Sequence, residues 1–207
     1  MGIAERKERE KQKRRKAILN AAEKIFFAEN GDKGTMDDVA EKVELSKGTL
    51  YLYFKNKNDL QFAIAEKGVG ILTEYFSKVL NPELKGREQL SDLGDEFVRF
   101  VENYPRHFEL ILRFEVTEPQ QQDNQNNKLL MEPALSVLRK IIINGQKDGS
   151  IRDDLSENEI VIILWSQMIG LMQSILRKDR HIERYDVDLK RIIKGHYRII
   201  MKGMAPA

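Results

Sequence analysis

The stretch that most limits what this chain can fold into is residues 35–57, TMDDVAEKVELSKGTLYLYFKNK. Counting Met36 as the first position, apolar side chains fall at positions 4, 8, 10, 15 and 18 (Val39, Val43, Leu45, Leu50 and Tyr53), with the small Ala40 at position 5. Two helices that cross steeply around a short turn need this spacing, because a large side chain at position 5 would hold them apart. Thr35 predicts an N-cap, with Asp38 three residues on to return the bond as a capping box. Ser46 predicts a second cap, opening a helix whose inward residues are Leu50 and Tyr53 or Phe54. The stretch is therefore a predicted helix-turn-helix, and a small helical hairpin without a nucleic-acid role is the bland alternative.

SKGTLYLYFKNKNDL, following TMDDVAEKV, resembles the DNA-binding domain of the tetracycline-repressor-like (TetR) family of bacterial transcription regulators. The likeness covers residues 17–66, and the remaining two thirds of the chain agrees in length and helical character. One position departs from the pattern: the turn, commonly glycine because it favours a left-handed backbone, is Glu44 here. The resemblance implies that residues 46–53 lie in the major groove of double-stranded operator DNA, with Ser46 at the start and Lys47, Gly48, Thr49 and Tyr51 on the exposed face. Lys47 can donate to guanine acceptors, and Thr49 can offer its methyl to thymine. Gly48 lets the backbone come close. Thr35, Tyr53, Lys55 and Lys57 are the matching phosphate-contact positions, Lys57 standing at a helix N-terminus that favours an anion.

Charge sharpens this reading. The chain carries only +2 overall, yet residues 1–16 hold eight Lys and Arg against Glu5, Glu8 and Glu10, a local +5. Such an arm ahead of a helix-turn-helix can follow the phosphate backbone or reach a minor groove, or it can be a solvated helix end laced by i,i+4 pairs such as Glu5–Arg9. There is no cysteine, so disulfides and thiolate chemistry are excluded. The charged N-terminus lacks a signal-peptide core, and the longest apolar run, residues 160–176, is broken by polar residues and short for a membrane span. A cytoplasmic protein with no membrane association is the expectation.

In chain order the periodicity predicts helices throughout. The first runs from the basic arm to about Glu29, on the stripe Ile18, Ala21, Ala22, Ile25, Phe26, with Asn30-Gly31 as its stop. A fourth, capped by Asn56 with Asp59 at its third position, runs to about Leu80 and is long enough to act as a lever. Further helices are expected at Leu90 to Tyr104, Phe108 to Glu115, Leu129 to Lys147, Ser156 to Lys178 and Val187 to Met204, with a polar loop at residues 119–127. The predicted fold is all-α: a three-helix helix-turn-helix domain with its basic arm (residues 1–56), joined by the long fourth helix to a helical ligand-binding and dimerisation domain (residues 57–207).

The eighth predicted helix is apolar on more than one face, so it needs partners on several sides. In the resembling family the last two helices of each subunit pair into a four-helix dimer interface. A homodimer is expected through Ile160, Leu164, Ile169, Ile193, Tyr197 and Ile200. Aromatic and methionine side chains of the second domain, Phe97, Phe100, Phe108, Phe114, Trp165, Met168 and Met172, with Gln173 as an orienting amide, are candidates for the wall of a small-molecule effector site. They are also what an ordinary core contains. The three histidines are scattered, His107 reading as a surface or capping residue, and no HExxH, phosphate loop or nucleophile elbow occurs. No enzymatic activity, cofactor or metal is expected. The favoured function is a ligand-responsive, dimeric transcriptional repressor. The alternative is a helical protein–protein interaction module whose helix-turn-helix no longer reads DNA.

Overall fold

The computed structural model describes residues 2–28, 33–117, 130–176, 184 and 187–206, so the expected stop at Asn30-Gly31 and the polar loop at residues 119–127 lie outside the described residues. Among these residues there is no strand. The helices are α1 (Ile3–Phe26), α2 (Met36–Lys42), α3 (Lys47–Tyr51), α4 (Lys57–Ser77), α5 (Gly86–Asn103), α6 (Pro105–Leu112), α7 (Glu132–Lys147), α8 (Glu157–Leu176) and α9 (Leu189–Gly203). A single π-turn, Arg113–Thr117, follows α6. Pro105 does more than close α5: it is the first residue of α6, where its fixed φ and missing N–H cost nothing.

Contacts divide the chain inside α4. Met1–Gly68 with Arg106–Phe114 forms one compact unit, and Val69–Pro105 with Glu115–Ala207 forms the other. The sequence division at residues 56 and 57 thus gives way to one at Gly68, and most of α6 folds with the first unit. The reason is tertiary. In the first unit Glu23 of α1 accepts from Lys67 of α4 at 2.8 Å and faces His107 Nε2 of α6 at 3.2 Å. Burial pushes the Glu23 carboxyl up, but the hydrogen bonds from His107 and Lys67 outweigh it and hold the group below the usual range. Arg113 donates to Gln61 at 3.0 Å. His107 is therefore a buried, bonded residue and not a surface one.

The core of the first unit is built from one stripe per helix. Ile18, Ala22 and Phe26 of α1 meet Val39 and Ala40 of α2, Leu50 of α3, and Leu60 and Ile64 of α4. Ala40 is 3 % exposed, so the close crossing demanded by the sequence spacing is present. Between α2 and α3, Glu44 takes φ 54°, the left-handed conformation that glycine adopts without strain. Its side chain points to solvent, and the Leu45 N–H still bonds to the Ala40 carbonyl at 2.9 Å. The turn keeps its geometry at a cost of about 1–2 kcal/mol.

In the second unit α5 and α7 approach until backbones touch: a Cβ on Gly86 would lie 2.3 Å from Gly145 Cα. The first amides of α5 are capped from the loop after α7, Gly86 N–H by Asp148 at 2.8 Å and Arg87 N–H by Ser150 at 3.1 Å. At the far end of the chain, Arg87 donates to the Met201 carbonyl at 2.7 Å and Arg152 to the Gly203 carbonyl at 3.1 Å. These guanidinium groups satisfy the open carbonyls of the last turn of α9. Ser156 and Glu159 form the expected box at the start of α8, the Glu159 N–H reaching Ser156 Oγ at 3.3 Å and the Ser156 N–H reaching Glu159 Oε2 at 2.8 Å.

Candidate functional site

Two caps position the short helix α3. At the start of α2 the Asp38 N–H donates to Thr35 Oγ1 at 3.2 Å, and Asp38 Oδ2 accepts from the Thr35 N–H at 2.8 Å. Hydrogen bonds from the Thr35 backbone and hydroxyl hold the Asp38 carboxyl below its usual range, so it is ionised in this cap. At the start of α3 the Thr49 N–H donates to Ser46 Oγ at 3.2 Å, and the two hydroxyls lie 2.8 Å apart. Thr35, Ser46 and Thr49 are thus all engaged in local caps, and Thr49 also offers its methyl to an outside partner.

What α3 presents outward is Lys47, Gly48, Tyr51 and Leu52. Tyr51 is 48 % exposed and Leu52 83 %. A Cβ built on Gly48 meets nothing within 4 Å, so the backbone there is open to a close-lying surface. Lys47 Nζ pairs with Asp37 Oδ2 of α2 at 2.5 Å, and both side chains are largely exposed. The hydrogen bond that Lys47 donates to Asp37 raises the Lys47 pKa, which keeps the ammonium charged. An exposed pair of this kind is weak and exchangeable for another acceptor. Leu52 is absent from the sequence candidates. A five-residue helix ends before the 3.6-residue period is informative, and only the observed C-cap at Leu52 shows an apolar side chain on the open face.

Tyr53 is half-buried and packs on the core of the first unit, so its ring is structural, whatever its hydroxyl meets. At the start of α4, Asp59 Oδ2 accepts the Lys55 N–H at 2.8 Å, and Asn56 Oδ1 accepts the Asp59 N–H at 2.8 Å. Lys57 occupies the first helical position, with Nζ 5.1 Å from the centre of the Phe26 ring. The first unit therefore carries one side with a protruding short helix and lysines at the flanking helix start.

The second unit holds a narrow apolar cleft of about 60 Å³. Its wall includes Phe76 of α4, Phe97 and Gly94 of α5, Leu138 of α7, Trp165 and Met168 of α8, and Tyr197 and Ile200 of α9. Phe97 meets Trp165 edge to face with ring centroids 6.2 Å apart. Tyr197 lies so close to α5 that a Cβ on Gly94 would sit 2.3 Å from its ring. Burial raises the Tyr197 phenol pKa, Ser91 offsets part of this, and Asp95 and Asp92 add to the rise, so the hydroxyl stays protonated. A neighbouring opening shares Gly94, Met168 and Tyr197 and adds Asp95, Lys194 and Arg198 at its rim.

Of the sequence candidates for this cleft, Phe97, Trp165 and Met168 come together. Phe108 and Phe114 do not: they are buried in the first unit, where Phe114 packs on Phe62. Phe100 stacks with Tyr104, and Met172 and Gln173 are not among the residues that line the cleft. The residues expected at the dimer face fall in several environments within the subunit. Ile160 and Leu164 are buried inside the unit, and Tyr197 and Ile200 line the cleft. Ile169 and Ile193 are half-buried. The exposed apolar side chains of α8 are Ile162 at 65 % and Ile163 at 41 %, with Ile199 of α9 at 74 %. A helix apolar all round does not reveal which face turns inward.

Among the described residues no cluster of His, Asp or Glu could hold a metal ion, and no helix is long and apolar enough to cross a membrane. A capped, protruding helix beside an N-terminal lysine pair, on a body with an apolar cleft, defines a helix-turn-helix protein with a separate helical unit. Residues 18–64 match the profile of bacterial regulatory proteins, tetR family. The match covers the helix-turn-helix unit, which is a domain of that family's type.

Relatives extend the match. The transcriptional activator FasR of Mycolicibacterium smegmatis is 30 % identical over 108 residues, which are 52 % of this chain and 49 % of that protein. The fatty acid metabolism regulator protein of Bacillus subtilis is 24 % identical over 148 residues, 70 % of this chain and 75 % of that one. The chain thus spans about half of the first relative's length and three quarters of the second's. Among solved structures, FadR from Thermus thermophilus in complex with lauroyl-CoA superposes with TM-score 0.65 at 21 % identity, covering 92 % of this chain and 94 % of that one. FadR from Bacillus subtilis with stearoyl-CoA gives 0.65 at 18 %, covering 91 % and 98 %. The same fold therefore runs through both units, and the alternative of a bare interaction module has no support from these relatives.

Proposed function

We infer that this protein is a homodimeric transcriptional repressor that leaves its operator on binding an amphiphile with a long acyl chain, such as a fatty acyl-CoA thioester. The observation that carries the DNA-binding half is the outward face of α3, Lys47, Gly48, Tyr51 and Leu52, held by two hydrogen-bonded caps within the matched residues 18–64. Lys47 exchanges Asp37 for a guanine edge, Leu52 and the Thr49 methyl meet thymine methyls, and Lys55 and Lys57 meet phosphate. The ligand half is supported by the apolar cleft and by two relatives of the same fold solved with acyl-CoA. Coupling runs through α4, whose residue Phe76 lines the cleft and whose first residue is Lys57. The dimer forms through the exposed side of α8, where Ile162 and Ile163 stand beside the small Ser166 and Gly170, which let a second helix come close.

Base reading and phosphate holding separate by mutation. Lys57→Ala is expected to weaken all duplexes nearly equally and to lower the salt slope by about 1 per subunit. Lys47→Ala is expected to cost on the order of 1–3 kcal/mol at one or two base positions of each half-site. Titrations over an operator library and a salt series measure both. If Lys57→Ala altered base preference while Lys47→Ala did not, α3 would be docked the wrong way round.

The chain has one tryptophan, and it lies in the cleft wall. Palmitoyl-CoA is expected to change Trp165 emission and to release the operator, with free CoA inert. Linkage requires operator DNA to weaken the ligand by the same factor, typically ~5–150-fold. An emission change with an affinity indifferent to operator would break the coupling, and no response to any acyl-chain ligand would remove the effector class.

A further inference from the structure

Fifteen residues of α1 precede Ile18, the first buried residue of the helix and the first residue matched by the family profile. At 1.5 Å per residue they extend about 22 Å beyond the core as continuous helix. Every residue from Gly2 to Ala17 is exposed except Arg15. The stretch before Ile18 therefore buries no apolar side chain that would explain its presence. Its charges are arranged by face. Lys7, Lys11 and Arg15 follow each other at i, i+4 and i+8 and lead into Ile18 and Ala22, so they continue the side of α1 that faces the domain. Arg14 flanks this row. Glu8 borders it, with one oxygen bonded to Gln12 at 2.7 Å, and Glu10 pairs with Lys13 at 3.5 Å.

Arg15 fixes where this row leads. Its guanidinium lies 5.0 Å over the ring of Phe54, the residue between α3 and Lys55. The cationic row is thus continuous with the edge of the first unit that bears Lys55 and Lys57. We propose that the projecting part of α1 is a second DNA-contact surface, which lies along the phosphate backbone beyond the segment read by α3 and carries no base specificity. The inference rests on the DNA-binding reading above. An α-helix about 10–12 Å across does not enter a minor groove about 6 Å wide, so the arm stays on the phosphates. Its length covers about six base pairs outside each half-site.

The test uses the full chain with Lys7→Gln, Lys11→Gln and Arg14→Gln combined, and a duplex selected by the unaltered protein from a randomised library. All three positions are solvent-exposed, and far-UV helix content and thermal midpoint report folding. The slope of log K against log salt is expected to fall by about 2–3 per subunit, at 0.9 per lost phosphate contact, with base preference unchanged. Backbone protection by hydroxyl radical is expected to shorten at both outer edges. A second variant lacking residues 2–13 is expected to act in the same direction. An unchanged slope in both variants, with Lys57→Ala still lowering it, would overturn the arm contact alone. A changed base preference would overturn the phosphate assignment. If the unaltered chain showed no salt-dependent binding to any duplex, the DNA-binding reading would fall and the arm with it.

Discussion

Ile162→Glu combined with Ile163→Glu is expected to convert the protein from a dimer to a folded monomer. Both side chains are exposed within the subunit, at 65 % and 41 %, so the substitutions leave its own core intact. In the proposed dimer the same positions meet a second α8, and each glutamate would be buried without a partner, a loss of about 3–5 kcal/mol per broken site. Operator affinity is expected to drop with the loss of linked half-sites, on the order of 10²–10⁴-fold. Sedimentation equilibrium at micromolar concentration, with circular dichroism on the same samples, measures the outcome. A double variant that stays dimeric would move the interface to another face. Leu164→Ala is the contrast: Leu164 is 8 % exposed and lines the cleft, so it is expected to lower the thermal midpoint without dissociating the dimer.

Leu50→Ala is expected to cost about 2–5 kcal/mol of stability, because Leu50 is fully buried where α1, α2 and α4 meet α3. Against a typical total of about 5–15 kcal/mol this undoes much of the unit that positions α3. Binding to every duplex is expected to fall together with the unfolding midpoint. Leu52→Ala, two residues on, reverses the pattern. At 83 % exposure it is expected to stay within about 0.5 kcal/mol of the parent in stability. Its effect is expected on operator preference at a thymine-bearing position. Thermal unfolding and library titrations on the two variants separate a residue that holds the recognition helix from one that reads with it. Equal stability losses in both would place Leu52 in a packing role.

The sequence alone determined the features that depend on near neighbours along the chain. The caps at Thr35, Ser46, Asn56 and Ser156 are legible because donor and acceptor lie three residues apart, whatever the rest of the protein does. The helix-turn-helix is legible because Ala40 and Leu50 hold their spacing within a single short unit, strong enough to keep the turn at Glu44 with a left-handed φ. The all-α class follows from the same local periodicity. Tertiary structure alone decided the rest. His107, Phe114 and Arg113 read as part of the second domain, but their partners Glu23, Phe62 and Gln61 come from α1 and α4, and periodicity says nothing about partners 52 to 84 residues away. α8 is apolar on more than one face, so the inward residues Ile160 and Leu164 and the outward Ile162 and Ile163 differ only in what the rest of the unit leaves uncovered. Tyr197 is drawn inward because Gly94 leaves a gap one Cβ wide on the helix opposite, a complementarity that belongs to the pair and to neither residue alone.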